Sequence, residues 1–248
     1  MVKIIQKEFQ EKGYARCNSQ LRRKEIERCV AAFEAISKSE ARVRKAAKFG
    51  SVLEADLPNR KRGGMDPGDR GESIFILGDP PAIDRVFGAL AAHPTLVEAA
   101  EIALGSREIV LHFMNVTAKA PYIGSGIGWH RDVDNRYMRS RSGRFVRIMV
   151  CLDTMGPHNG GTQFQIGSHR LMRPKHGLVT AAPACPAGTV IVVHPQIRHG
   201  GPPNRSPHVR RVAVIQYGRR DDPIIAEERE SVTGLSPQAI RGRSRCSG

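Results

Sequence analysis

The sequence predicts a mainly β protein with flanking α-helices, an antiparallel sandwich or barrel with its helices on the N-terminal side. Three observations predict it. Apolar residues recur at helical spacing in segments that end near Gly105. From residue 107 to residue 217 the chain changes to short β-branched runs bounded by Gly, Pro or Asn, with no helical period between them. The 248 residues are 40% hydrophobic and hold no long low-complexity tract, so a sizeable core can be buried.

The first predicted helix covers 20–37. Ile26, Cys29, Val30, Phe33 and Ile36 line one face and charges fill the other. Residues 38–73 are polar and end in NRKRGGMDPGDRGES, which predicts a loop long enough to serve as a lid. Helices follow over 80–91 and 94–104, where Pro94 suits a first turn and Gly105 a stop. REIVLHFMNV (107–116), RFVRIMVCL (144–152), GTVIVVH (188–194) and VRRVAVIQY (209–217) read as strands, with GTQFQIGS and HGLVTAA as two more. From Arg219 on, charges mix with Pro, Ser and Gly, the pattern of a loosely held tail. The expected organisation is one domain over 1–248, with helices and a polar loop in 1–105, the β core in 106–218 and a tail in 219–248.

No apolar run approaches the length of a membrane span, and the charged N-terminus does not read as a signal peptide. A soluble, cytoplasmic protein is expected. Cys17, Cys29, Cys151, Cys185 and Cys246 are scattered, odd in number and form no C-x-x-C, which argues against a disulfide framework or a cysteine zinc site. The net charge of +15 raises nucleic acid, an acidic carrier protein or an anionic substrate as partners. The basic residues are spread along the chain and aromatics are only 5%. A solvated arginine-rich surface therefore explains the charge more simply than a nucleic-acid face.

The chemistry concentrates in GIGWHRDVDN (126–135). In strand-like backbone His130 and Asp132 point to one side. His199 follows the strong strand GTVIVVHPQ and precedes GGPPN. Two histidines and one carboxylate on one face leave coordination positions open, a set suited to oxygen-activating non-haem Fe(II). Zinc favours fuller His or Cys sets, and no H-E-x-x-H is present. Taken alone, the His-x-Asp pair is a weak signal. Arg210 and Arg211 open the last strong strand on opposite faces, so in a half-buried strand one of them points inward and needs an anion. Both are solvated if the strand lies at an edge.

Four stretches, in order and with suitable gaps, resemble the phytanoyl-CoA dioxygenase-like (PhyH) family of Fe(II)/2-oxoglutarate oxygenases. FQEKGYARCNSQLRRKEIERCVAAF resembles its opening helix pair, and VTAKAPYIGSGIGWHRD its strand lysine and metal motif. NGGTQFQIGSHR resembles the family's N-G-…-P-G-S-H loop, and HGGPPNRSPHVRRVAVIQY its distal histidine and co-substrate arginine. The resemblance implies a double-stranded β-helix, a jelly-roll core of the cupin kind. It implies His130, Asp132 and His199 as ligands of Fe(II), and Arg210 as the clamp on the distal carboxylate of 2-oxoglutarate. Lys119 stands at the family's strand lysine, with Thr117 and Asn115 on the same strand face as further co-substrate contacts. It implies O2 as the oxidant, succinate and CO2 as co-products, and oxidation, in the first place hydroxylation, of an unactivated C–H of a small molecule.

The chain departs from the family pattern at Ile166, where proline is usual, and at Thr162, where leucine is usual. Thr162 thereby becomes a polar candidate for contact with co-substrate or substrate. The related halogenases replace the carboxylate ligand with a small residue, so Asp132 argues against halogenation. The loop 131–147 carries six arginines and offers capture of an anionic or carrier-linked substrate, or simply a solvated flap. Trp129 is expected to pack by the site or in the core. The competing functions are an oxygenase acting on nucleic acid or protein, an inert jelly-roll binding protein and, more distantly, a zinc hydrolase.

Overall fold

The computed structural model describes residues 2–17, 21–39, 43, 48, 50–57, 73–135, 137–171 and 177–245. Most of the 38–73 loop, with its predicted lid role, and Cys246 lie outside these residues.

The chain opens with α1 (Val2–Lys12), β1 (Tyr14–Arg16) and α2 (Arg23–Ser37). On α2 the buried residues Ile26, Cys29, Phe33 and Ile36 recur every three or four positions. The Glu25 side chain accepts a hydrogen bond from the Arg22 backbone N–H at 2.9 Å, satisfying one donor of the first turn. Then come β2 (Val52–Leu53), β3 (Ile74–Gly78), α3 (Pro80–Ile83), α4 (Arg85–Ala91) and α5 (Pro94–Leu104). The helix predicted over 80–91 is two helices. Asp84 is extended, at φ −143°, and its carboxylate caps the second by accepting from Val86 N–H at 3.0 Å. α5 matches its predicted bounds, with Pro94 in its first turn and Gly105 closing it at φ +60°.

The strand-rich part comprises β4 (Ile109–Lys119), β5 (Ile127–His130), β6 (Met138–Ser140), β7 (Phe145–Cys151), β8 (Gln163–Gln165), β9 (Thr180–Ala181), β10 (Val190–Val193), β11 (His199–Gly201), β12 (Arg210–Arg219) and β13 (Ile224–Ala226). A seven-stranded sheet runs β1-β10-β7-β12-β4-β3-β2, and a four-stranded one runs β5-β11-β8-β9. Every pairing is antiparallel. The two sheets face each other as a jelly roll does.

Strand parity divides the large sheet into two faces. Ala213, Ile215 and Tyr217 of β12 join Ile148 and Val150 of β7, Val116 and Ala118 of β4, and the helices α2, α4 and α5 in the larger core. Val212 joins Met149, Cys151, Ile191 and Val193 of the same sheet and Phe164 of β8 in a smaller core between the sheets. The large sheet is therefore covered on both faces. This corrects the half-buried reading of β12: both arginines are buried, Arg210 at 2% exposure and Arg211 at 5%. Arg211 faces the helices and pairs with Asp153 at 2.8 Å and with Glu34 of α2.

The segment after Arg219 is not loosely held. β13 pairs with β6, α6 (Pro237–Arg245) closes the described chain, and Val232 and Ile240 are buried in the larger core. No described helix is long and apolar enough to cross a membrane. Cys17, Cys29, Cys151 and Cys185 are free and buried.

Candidate functional site

A cavity of about 360 Å³ lies between the two sheets. The eight residues singled out above, His130, Asp132, His199, Arg210, Lys119, Thr117, Asn115 and Thr162, all line it.

The register of β5 against β11 sets His130 directly opposite His199, with ring centroids 4.3 Å apart. Asp132 follows on a short 3-10 turn over 132–134, fully buried. Nε2 of each imidazole lies 3.6 Å from Oδ1 of Asp132. His130 Nδ1 is 2.8 Å from the Gly128 carbonyl, and His199 Nδ1 is 3.1 Å from that of Ile197. A carbonyl only accepts, so each Nδ1 carries the proton and each Nε2 presents a lone pair inward. Burial pushes His199 down to about 4, which keeps it neutral. One ligand atom from each of the three residues lies within 4.8 Å of the others, and among the described residues no other such group exists.

Burial alone would raise the Asp132 carboxyl, but the Arg147 guanidinium leads the influences that hold it down at about 2. Arg147 Nη1 lies 2.6 Å from Oδ1, yet neither Asp132 oxygen accepts a well-directed hydrogen bond. Two inward imidazole lone pairs and a buried carboxylate with spare acceptor capacity fit a first-row divalent metal.

Arg210 and Lys119 face each other across β12 and β4. Arg210 Nη2 donates to the Gly160 carbonyl at 3.2 Å and Nε has no partner. No described carboxylate forms an ion pair with Arg210. Burial draws its guanidinium down to about 10, which leaves it charged. It is a buried cation awaiting an anion.

Lys119 is fully buried, and its Nζ donates to the carbonyls of Gly160, Gly201 and Pro202. Burial, then the neighbouring Arg210, draws the ammonium down to about 6, but three carbonyl acceptors call for the three N–H groups of the charged form. Lys119 thus ties the end of β4 to the loops around residues 160 and 202. Asn204 adds to the tie, donating to the Lys119, Ala120 and His208 carbonyls. Gly160 is required here: it sits at φ +73°, and a Cβ would come within 2.7 Å of the Pro202 oxygen.

Several lining residues escape the sequence reading. Arg147 is a lone charge on the cavity-facing side of apolar β7, a signal hidden inside the basic run 131–147. Tyr137 and Glu230 form a pair, the Tyr137 hydroxyl donating to Glu230 Oε1 at 2.9 Å. Met114 N–H donates to Glu230 Oε2 at 3.0 Å. Burial pushes the Glu230 carboxyl up to about 7, against those two hydrogen bonds. Nothing in the charged stretch after Arg219 marks Glu230 in advance.

The basic loop is mostly not free for anions. Arg131 donates to the Ser168 and Leu171 carbonyls, Arg144 pairs with Asp221 and Asp222, and Arg147 with Asp132. Arg136 lies outside the described residues. Trp129 is neither core nor packed on the site: it is 40% exposed, with the Arg198 guanidinium 5.8 Å above its ring.

The family model of phytanoyl-CoA dioxygenase (PhyH) matches residues 9–212. The chain belongs to the PhyH family. No curated protein matches it in sequence. Among solved structures, this PhyH chain is similar to EctD from S. alaskensis, crystallised with 2-oxoglutarate and 5-hydroxyectoine. The TM-score is 0.71 and the identity 20%, over 93% of this chain and 85% of that one. It is also similar to the non-heme alpha ketoglutarate dependent epimerase SnoN from nogalamycin biosynthesis, with TM-score 0.69 and 18% identity, over 88% of this chain and 83% of that one. The carbocyclase SnoK from the same biosynthesis gives TM-score 0.70 and 16% identity, over 88% and 84%. At these identities the PhyH chain shares their fold.

Proposed function

We propose that this PhyH-family protein is an Fe(II)- and 2-oxoglutarate-dependent oxygenase that oxidises, by hydroxylation, an unactivated C–H of a small molecule. The observation that carries the reading is the meeting of two inward imidazole lone pairs with the Asp132 carboxylate in a cavity that also holds the unpaired Arg210 guanidinium. EctD and SnoN structures containing iron or 2-oxoglutarate support it by fold.

His130 and His199 would hold the metal through their Nε2 atoms and Asp132 through its carboxylate. Bound Fe(II) with 2-oxoglutarate and O2 supplies the oxidising power, with succinate and CO2 as co-products. Arg210 binds the far carboxylate of the keto acid by charge-assisted hydrogen bonds. Thr117 and Thr162 offer hydroxyls, and Asn115 its amide, along the same wall. Lys119 positions the loops that carry Gly160 and Gly201 and is not itself the anion site. Arg147 keeps Asp132 ionised and oriented. Asp132, His199, Lys119 and Arg210 are buried, whereas the His130 side chain is 39% exposed. A cavity of this size suits a small molecule rather than a polymer.

Anaerobic addition of Fe(II) and then 2-oxoglutarate tests the reading through the weak visible charge-transfer band of the chelate. Wild type gives the band, His199→Ala loses it, and Arg210→Ala needs far more keto acid. A wild type that binds neither metal nor keto acid overturns the reading.

A further inference from the structure

The cavity has opposite electrical ends. At one end Arg210 is a buried cation with no anionic partner. At the other, Glu230 lines the cavity as a partly buried carboxyl that forms no ion pair with any described residue. Glu230 bonds the amide of Met114, five residues before Lys119 on β4. At about 3.4 Å per residue the ends are separated by roughly 17 Å of strand. Glu230 reaches Met114 because β3 ends at Gly78, opposite Asn115, and leaves the next amide of β4 unclaimed by the sheet.

Of the other charged groups in the cavity, Arg147 has two of its three nitrogens engaged and Nη2 without a partner. Arg147 is engaged by Asp132, and its Nε by the Gln216 side chain at 3.1 Å. Its guanidinium lies 5.1 Å above the Phe113 ring. The Tyr137 ring meets Phe113 edge-on at 6.0 Å while its hydroxyl holds Glu230. What remains is a carboxyl with acceptor capacity to spare, beside two aromatic rings, in a cavity whose burial raises that carboxyl to about 7. A cation arriving there gains a charge-assisted hydrogen bond and an aromatic wall.

We propose that the substrate carries a protonated amine, which docks on the Glu230 carboxylate beside Tyr137 and Phe113. The proposal rests on the oxygenase reading, because that reading assigns the Arg210 end to the co-substrate and leaves the Glu230 end to the substrate. It replaces the anionic substrate suggested by the basic loop.

The test is equilibrium binding of two probes of matched shape, benzylammonium and benzyl alcohol, to the purified full chain without metal, followed by ligand-observed NMR. Wild type is expected to bind benzylammonium about tenfold more tightly than benzyl alcohol. Glu230→Gln is expected to remove that preference and leave benzyl alcohol binding within about twofold. Tighter benzyl alcohol than benzylammonium, no measurable binding of benzylammonium, or a preference that survives Glu230→Gln overturns the proposal. The wild-type comparison decides even where a variant fails to fold. Since no metal or keto acid is present, failure here is separate from failure of the charge-transfer test.

Discussion

Arg147 Nη1 sits 2.6 Å from Asp132 Oδ1, joining the large sheet to the turn that follows β5. The carboxylate is thus held ionised and aimed before any metal arrives. Removing the partner leaves a buried, uncompensated charge. Arg147→Ala is expected to weaken Fe(II) or Co(II) binding about 10- to 100-fold, the usual loss when a ligand's orienting partner goes. Metal titration checks this, and Arg147→Lys should recover part of it. Equal metal affinity in the alanine variant would assign Arg147 to packing alone.

Arg210 separates stability from function. Its guanidinium is buried without an anion, so Arg210→Met is expected to leave the melting temperature of the metal-free protein unchanged or higher. The same substitution should raise the 2-oxoglutarate Kd by about 10- to 100-fold, while metal affinity stays within about twofold. Calorimetry of the metal-free protein and keto-acid titration measure the two effects.

Lys119 predicts the reverse pattern. Lys119→Met removes the donor shared by the Gly160, Gly201 and Pro202 carbonyls, leaving Gly160 its bond from Arg210, and is expected to cost about 3 kcal/mol. That corresponds to a melting point lower by roughly 6–12 °C for a chain of this size. Gly160→Ala should act in the same direction, since its φ of +73° and the Pro202 oxygen at 2.7 Å both oppose a side chain. Thermal melts check both. A Lys119 variant of normal stability with a raised Kd for 2-oxoglutarate would return Lys119 to direct co-substrate contact.

Glu230 gives a pH signature. Its folded pKa of about 7 lies above the ordinary 4.5, so the folded state holds its proton the more tightly. The carboxyl's contribution to stability is then lost as pH rises from about 4.5 to 7 and stays lost above. Burial sets the rise, the Met114 amide and the Tyr137 hydroxyl oppose it by favouring the anion, and Asp79 adds to it. Glu230→Gln should match wild type near pH 4 and exceed it at pH 8 by on the order of 2 kcal/mol. Urea unfolding at the two pH values measures the difference.

The long elements were legible because local signals and burial agree in them. Residues 94–104 form the predicted helix, with Pro94 at its start and Gly105 at its end. β7 and β10 fall within their β-branched runs, and β4 and β12 start within theirs and run on by three and two residues. Strands of two or three residues, such as β1, β6 and β13, are too short to show a period. Arg211 was read as an alternative to Arg210 because parity alone does not reveal that helices cover the second face. His130, Asp132 and His199 stood out by residue type and neighbouring glycines. Tyr137 and Glu230 did not, since they meet across 93 positions of sequence and each looks ordinary in its own segment.

Among the described residues β5 is an edge strand, paired only to β11, and it carries His130, with Asp132 just beyond it. The other histidine belongs to an interior strand, and the partner of Asp132 belongs to the opposite sheet. A metal shared by these residues would fasten the free margin of the small sheet to its neighbour, where backbone pairing alone is sparse. Amide hydrogens of residues 127–134 should therefore exchange early in the metal-free protein and slow sharply on loading. Occupancy would then be readable from the backbone itself, without any turnover.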